Sequence, residues 1–100
     1  MNLVQSVALC IFRVAQEALQ NAIKHSGARK VEVSLLGRVD AIEMCVHDLG
    51  DGFDPKATEC HGLGLTSMKE RLAAVRGQLI IRSEPQHGTM ICARVPLLQQ

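Results

Sequence analysis

Three carboxylates and two glycines crowd into Asp48-Leu49-Gly50-Asp51-Gly52-Phe53-Asp54, directly after a segment of alternating apolar residues. This reads as a strand ending in a loop that faces a ligand. Glycine tolerates close backbone approach, so Asp48 can be held rigidly while Gly50 and Gly52 leave room beside it. An ordinary turn has the same composition. A second group lies upstream, where Glu17 and Asn21 stand one helical turn apart among Ala15, Ala18 and Ala22, which leave space above the helix. A carboxylate beside an amide carbonyl suits a hard cation such as Mg²⁺, and Lys24 and His25 at the same end could add positive charge toward a phosphate. The rest of that stripe, Arg13 and Gln20, reads as a solvated face. A third group, Gly62-Leu63-Gly64-Leu65, precedes a helical pattern, so free N–H groups and a helix dipole could receive an anion there. A glycine hinge beside a cap would look the same.

Other chemistries lack their signatures. No Gly-Lys-Ser/Thr follows the glycines, and the third glycine and preceding strand of a dinucleotide fingerprint are missing. Cys60-His61 and Cys45-x-His47 do not match paired zinc-ligand spacing, Asp48 to Asp54 lacks the order of an EF-hand, and no Gly-x-Ser-x-Gly occurs. The four cysteines are scattered without Cys-x-x-Cys, so reduced thiols are expected rather than a disulfide framework. A formal charge of +1 and only two aromatics give no basis for direct nucleic-acid binding. The longest apolar run, Val7 to Phe12, is far short of the ~20 residues that span a bilayer, so this piece is expected to make no membrane contact.

The elements that must position these groups follow from periodicity. Apolar residues at helical spacing from Leu3 to about Lys24 predict a long, mostly buried helix, ended by His25-Ser26-Gly27. Lys30 to Leu36 and Ala41 to His47 alternate, predicting an antiparallel pair whose apolar faces hold Val31, Val33 and Leu35, and Ile42, Met44 and Val46. Leu65, Met68, Leu72 and Val75 predict a second helix from about Gly64 to Arg76 with Gly77 as its stop, although Ser67-x-x-Glu70 would suit a capping box one turn later. Gln78 to Arg82 and Thr89 to Val95 predict two further strands around a turn at Glu84 to Gly88. In 100 residues with 47% apolar content, this order predicts one α+β domain, a two-layer sandwich with helices on one face of a mainly antiparallel sheet.

Taken together and in order, these segments resemble the ATP-binding domain of bacterial sensor histidine kinases, in the superfamily of gyrase, the HSP90 chaperone, histidine kinases and MutL. Phe12 to His25 resembles the family's N box, Asp48 to Phe53 its Asp-x-Gly-x-Gly box, Gly62 to Leu65 with Met68-Lys69-Glu70-Arg71 its second glycine box, and Gly88-Thr89 the Gly-Thr beside the adenine pocket. Gln16-Glu17-Ala18-Leu19 and the short stretch between Phe53 and Gly62 are most similar to the nitrate-sensor subgroup. Leu49, Ser67 and Gln86 depart from the usual pattern.

The resemblance implies a Bergerat-type fold with a mixed sheet, ATP and Mg²⁺ as cofactors, and a catalytic role in phosphoryl transfer. It implies that Asp48 accepts a hydrogen bond from the adenine amino group, with Thr89 nearby. Asn21 would ligate Mg²⁺, Glu17 would orient metal-bound water or assist proton transfer, and Lys24 and His25 would lie near the phosphates. Gly50, Gly52, Gly62 and Gly64 would shape the pocket and lid, and Leu63 and Leu65 would be ATP-binding residues beside them. Residues 1–100 would then be an N-terminally truncated fragment of a larger kinase, cytoplasmic, with a parent that could be anchored in the inner membrane. Its partners would be a separate dimerisation domain carrying the phosphoacceptor histidine and, indirectly, a response regulator. The isolated chain would not autophosphorylate. The alternative is a regulatory module of the same fold that binds ATP or ADP and transfers nothing.

Overall fold

Among the described residues, two layers made of distant segments carry the structure: a four-stranded sheet and two helices against one of its faces. The computed structural model describes residues 3–25, 30–49, 64–84 and 88–97. Along the chain these are α1 (Leu3–His25), β1 (Val31–Gly37), β2 (Ala41–Asp48), α2 (Leu65–Ala73), β3 (Gln78–Glu84) and β4 (Gly88–Pro96). The strands lie in the order β1-β2-β4-β3, and all pairings among the described residues are antiparallel. The expected two-layer α+β arrangement is present, and its described sheet is antiparallel rather than mixed.

The alternation of β2 and β4 decides which side is inside. Met44 and Val46 pair with Ala93 and Ile91, and with Val95 they meet Val7, Ile11, Val14 and Ala18 of α1 in the core. Met68, Leu72 and Val75 close that core from α2 and the turn after it. The buried positions of α1 fall at Val7, Cys10, Ile11, Val14, Ala18 and Ala22, a single stripe at spacings of three and four. The helix is therefore half-immersed rather than mostly buried, with Val4, Phe12 and Ile23 exposed.

The expected inner face of β1 is also corrected. Val33 and Leu35 pair with Val46 and Met44 and share their side of the sheet, yet they are 53% and 65% exposed. β1 lies at the sheet edge, while the helices pack over β2, β4 and β3. Alternation assigns a residue to a face, and only a covering layer buries it.

The second helix starts at Leu65, with Gly64 as its N-cap in a left-handed conformation at φ 70° and no side-chain capping bond. The Ser67-x-x-Glu70 box is thus not used as a cap. At the other end, Gly77 N–H donates to Leu72 O (2.7 Å) and Arg76 N–H to Ala73 O (3.1 Å), the paired bonds of a Schellman ending. Arg76, not Gly77, takes the left-handed position, at φ 60°. Packing explains the glycine: a Cβ on Gly77 would stand 2.9 Å from Leu72 Cδ2 and 3.1 Å from Arg94 O.

The expectation of reduced thiols fails at one pair. Cys45 and Cys92 are joined by a disulfide across β2 and β4, 47 residues apart in sequence. The register places them directly opposite each other, with Cα atoms 4.1 Å apart, a relation that sequence spacing does not reveal.

Candidate functional site

Asp48 is the last residue of β2 and Thr89 the second of β4, and the register sets them opposite one another. Both occupy the helix-facing side, as continuations of the Met44-Val46 and Ile91-Ala93-Val95 alternations. They are 5% and 3% exposed, the two buried polar or charged residues among those described. A carboxylate and a hydroxyl held next to each other at the end of an apolar layer can accept and donate hydrogen bonds to a polar ring edge.

Two further contacts stiffen this corner. Ser83 Oγ lies 2.7 Å from Thr89 Oγ1 and also donates to the carbonyl of Gly88 at 3.3 Å. Ser83 was not legible as a site residue from the sequence; only the Ser83↔Thr89 register of β3 and β4 reveals it. Gly88 has φ 86°, and a Cβ there would overlap the backbone oxygen of Asp48. The glycine of the Gly88-Thr89 pair therefore allows the two chain segments to meet beside Asp48.

Of the residues expected at the site, Glu17, Asn21 and Lys24 lie in the last turns of α1. Glu17 and Asn21 are half-buried and Lys24 is exposed. The carboxylate of Glu17 lies against Gly64, at the N-terminal end of α2, so closely that a Cβ on Gly64 would collide with it. This places an anionic side chain where the α2 dipole is positive and its first N–H groups have no intrahelical partner. Glu17 and Gly64, 47 positions apart by count from the sequence, are thus brought together by helix packing. Leu65, expected among the ATP-binding residues, is buried in the core cluster and anchors α2. His25 is the last residue of α1. Gly50, Gly52, Gly62 and Leu63 lie outside the described residues.

Comparison with known proteins bears on the family and the fold. Residues 7–99 match the family described as histidine kinase-, DNA gyrase B-, and HSP90-like ATPase. The chain belongs to that family. Among curated proteins it is 38% identical over 93 residues to the signal transduction histidine-protein kinase/phosphatase DegS of Brevibacillus brevis, covering 93% of this chain and 24% of that protein. It is 43% identical over 91 residues to the oxygen sensor histidine kinase NreB of Staphylococcus carnosus, covering 87% of this chain and 25% of that protein. The chain thus spans about a quarter of the length of these relatives. The histidine kinase domain of the Erythrobacter litoralis EL346 blue-light activated kinase superposes with a TM-score of 0.77 at 19% identity, covering 92% of this chain and 45% of that one, a likeness of fold. Among the described residues no helix is long and apolar enough to cross a membrane.

Proposed function

We propose that this chain is the ATP-binding catalytic domain of a two-component sensor histidine kinase, supplying the γ-phosphate to a histidine on a separate dimerisation domain. The observation that carries the reading is the Asp48–Thr89 pair, buried on the helix-facing side of neighbouring strands. In this reading Asp48 receives the adenine amino group and Thr89, held by Ser83, completes that polar edge. Asn21 holds Mg²⁺ with Glu17 acting through a bound water, and Lys24 and His25 face the phosphates. Gly50, Gly52, Gly62, Leu63, Gly64 and Leu65 form or anchor the rim.

The residues suit the group. Asn21 offers an oxygen donor and Glu17 a carboxylate on successive turns of one helix, the hard ligands that Mg²⁺ takes while keeping several waters. Mg²⁺-bound ATP would supply the transferable phosphoryl group; the chain's own residues position it and balance its charge, which is most of what phosphoryl transfer requires. In this reading the domain is cytoplasmic and a response regulator lies downstream.

Calorimetry of the chain with MgATP, ADP and GTP tests binding. Adenine nucleotides should bind and GTP should not, since its exocyclic groups reverse the donor that Asp48 would accept. Joining the domain to a cognate histidine hairpin tests transfer: Mg-dependent phosphohistidine is expected. Binding without label would leave only the regulatory-module reading, and no adenine-nucleotide binding would defeat both.

A further inference from the structure

The outer face of the sheet, away from the helices and from the candidate nucleotide site, carries a second group of chemically capable side chains. Cys45 and Cys92 face each other across β2 and β4, and Glu43 stands two residues before Cys45 on the same side of β2. One ligand atom from each of Glu43, Cys45 and Cys92 lies within 4.8 Å of the others, and Glu43 Oε1 is 3.7 Å from Cys45 Sγ. Tetrahedral Zn²⁺, with bonds of about 2.3 Å to sulfur and about 2.1 Å to oxygen, sets its ligand atoms roughly 3.5 to 3.8 Å apart. Cys92 is only 4% exposed, while Cys45 and Glu43 are half-buried, so the group has a sheltered sulfur and an opening toward solvent.

We propose that reduction of the Cys45–Cys92 disulfide opens a three-ligand site for a thiophilic divalent cation, Zn²⁺ above all, made of both thiolates and the Glu43 carboxylate. The two states exclude each other. A phosphine reductant donates an electron pair to the disulfide and takes the oxygen of one water, ending as phosphine oxide. The two protons of that water leave Cys45 and Cys92 as thiols. Metal binding then releases both thiol protons to solvent as two metal–sulfur bonds form, and water fills the remaining position. No sequence motif announces this site, because its two cysteines belong to different strands and only the register makes them neighbours. It lies three paired positions along β2 and β4 from Asp48 and Thr89, so a metal or a disulfide there ties together the two strands that carry them.

The test titrates the phosphine-reduced 100-residue chain, freed of reductant and kept anaerobic, with Co²⁺ as the spectroscopic probe, followed by Zn²⁺ in competition with a colorimetric chelator. A thiolate-to-cobalt band in the near ultraviolet should grow to one equivalent and be displaced by Zn²⁺, and the oxidised chain should lack it. Cys92→Ser should abolish the band, and Glu43→Gln should keep it while weakening affinity by about tenfold or more. A variant with Cys10→Ser and Cys60→Ser should retain the whole signal, which tests the assignment even if Cys92→Ser does not fold. A reduced chain without the band, an oxidised chain with it, or its loss in the Cys10/Cys60 double variant would overturn the proposal.

Discussion

Gly88→Ala is the substitution with the largest effect expected for the smallest change in volume. Gly88 adopts φ 86°, where a residue with a Cβ is strained by roughly 1–2 kcal/mol. The added methyl would overlap the backbone oxygen of Asp48 and approach Leu49 Cα at 3.3 Å. Both neighbours are main chain, so no side chain can swing away, and overpacking of this kind typically costs a further 1–3 kcal/mol or so. The two effects together destabilise the domain by about 2–5 kcal/mol. At roughly 4–8 °C per kcal/mol for a domain of this size, the melting temperature should fall by about 8 °C or more. Thermal unfolding followed by circular dichroism measures it. Gly37→Ala is the matched control, because a Cβ there meets nothing within 4 Å; it should stay within about 0.5 kcal/mol of the parent. If Gly88→Ala melted with the parent, the close approach of β4 to the end of β2 would be wrong, and with it the geometry of the Asp48–Thr89 corner.

Asp48→Asn should weaken ATP binding by about 1–3 kcal/mol, or roughly 5- to 150-fold in affinity by calorimetry, because a buried hydrogen-bond acceptor is replaced by a mismatched group. Reducing Cys45–Cys92 should lower stability in a denaturant titration by about 2–4 kcal/mol, since the bridge closes a loop with a sequence separation of 47 and removes that freedom from the unfolded chain. Gly64→Ala should cost about 1–2 kcal/mol through its left-handed backbone and the displaced Glu17 carboxylate, and Glu17→Ala in the same chain should recover part of that loss in a double-mutant cycle. Burial pushes the Cys10 thiol above its usual range, with Arg71 partly opposing the shift. The folded state therefore holds that proton more tightly than the unfolded one, so this contribution to stability persists at neutral pH and is lost as pH rises through the folded-state value. Cys10→Ala should remove that part of the alkaline loss of stability.

The order of elements follows from residue types and their spacing, while the four short boxes stand on resemblance to the family. Helical and strand periods are local properties, and glycine-rich breaks mark where they stop. Asp48 at a strand end and Glu17 one turn before Asn21 belong to the same local level, which is why they could be named before any fold was known. At the start of α2 local and tertiary signals compete: Ser67-x-x-Glu70 is a sound capping pattern, but Leu65 gains burial in the core and draws the cap back to Gly64. At the other end Gly77 takes part in the stop through its bond to Leu72 O and is required by its contacts with Leu72 and Arg94, while Arg76 takes the left-handed position.

By itself, the chain's pattern of apolar, polar and glycine residues determined which segments become helices and strands and which side chains could do chemistry. Tertiary structure alone decided that Cys45 meets Cys92, that Ser83 holds Thr89, that Glu17 lies against Gly64, and that Val33 and Leu35 stay in solvent. Each of these depends on how separate elements are placed against one another, set by strand register and by where the helical layer ends. No local period encodes either one.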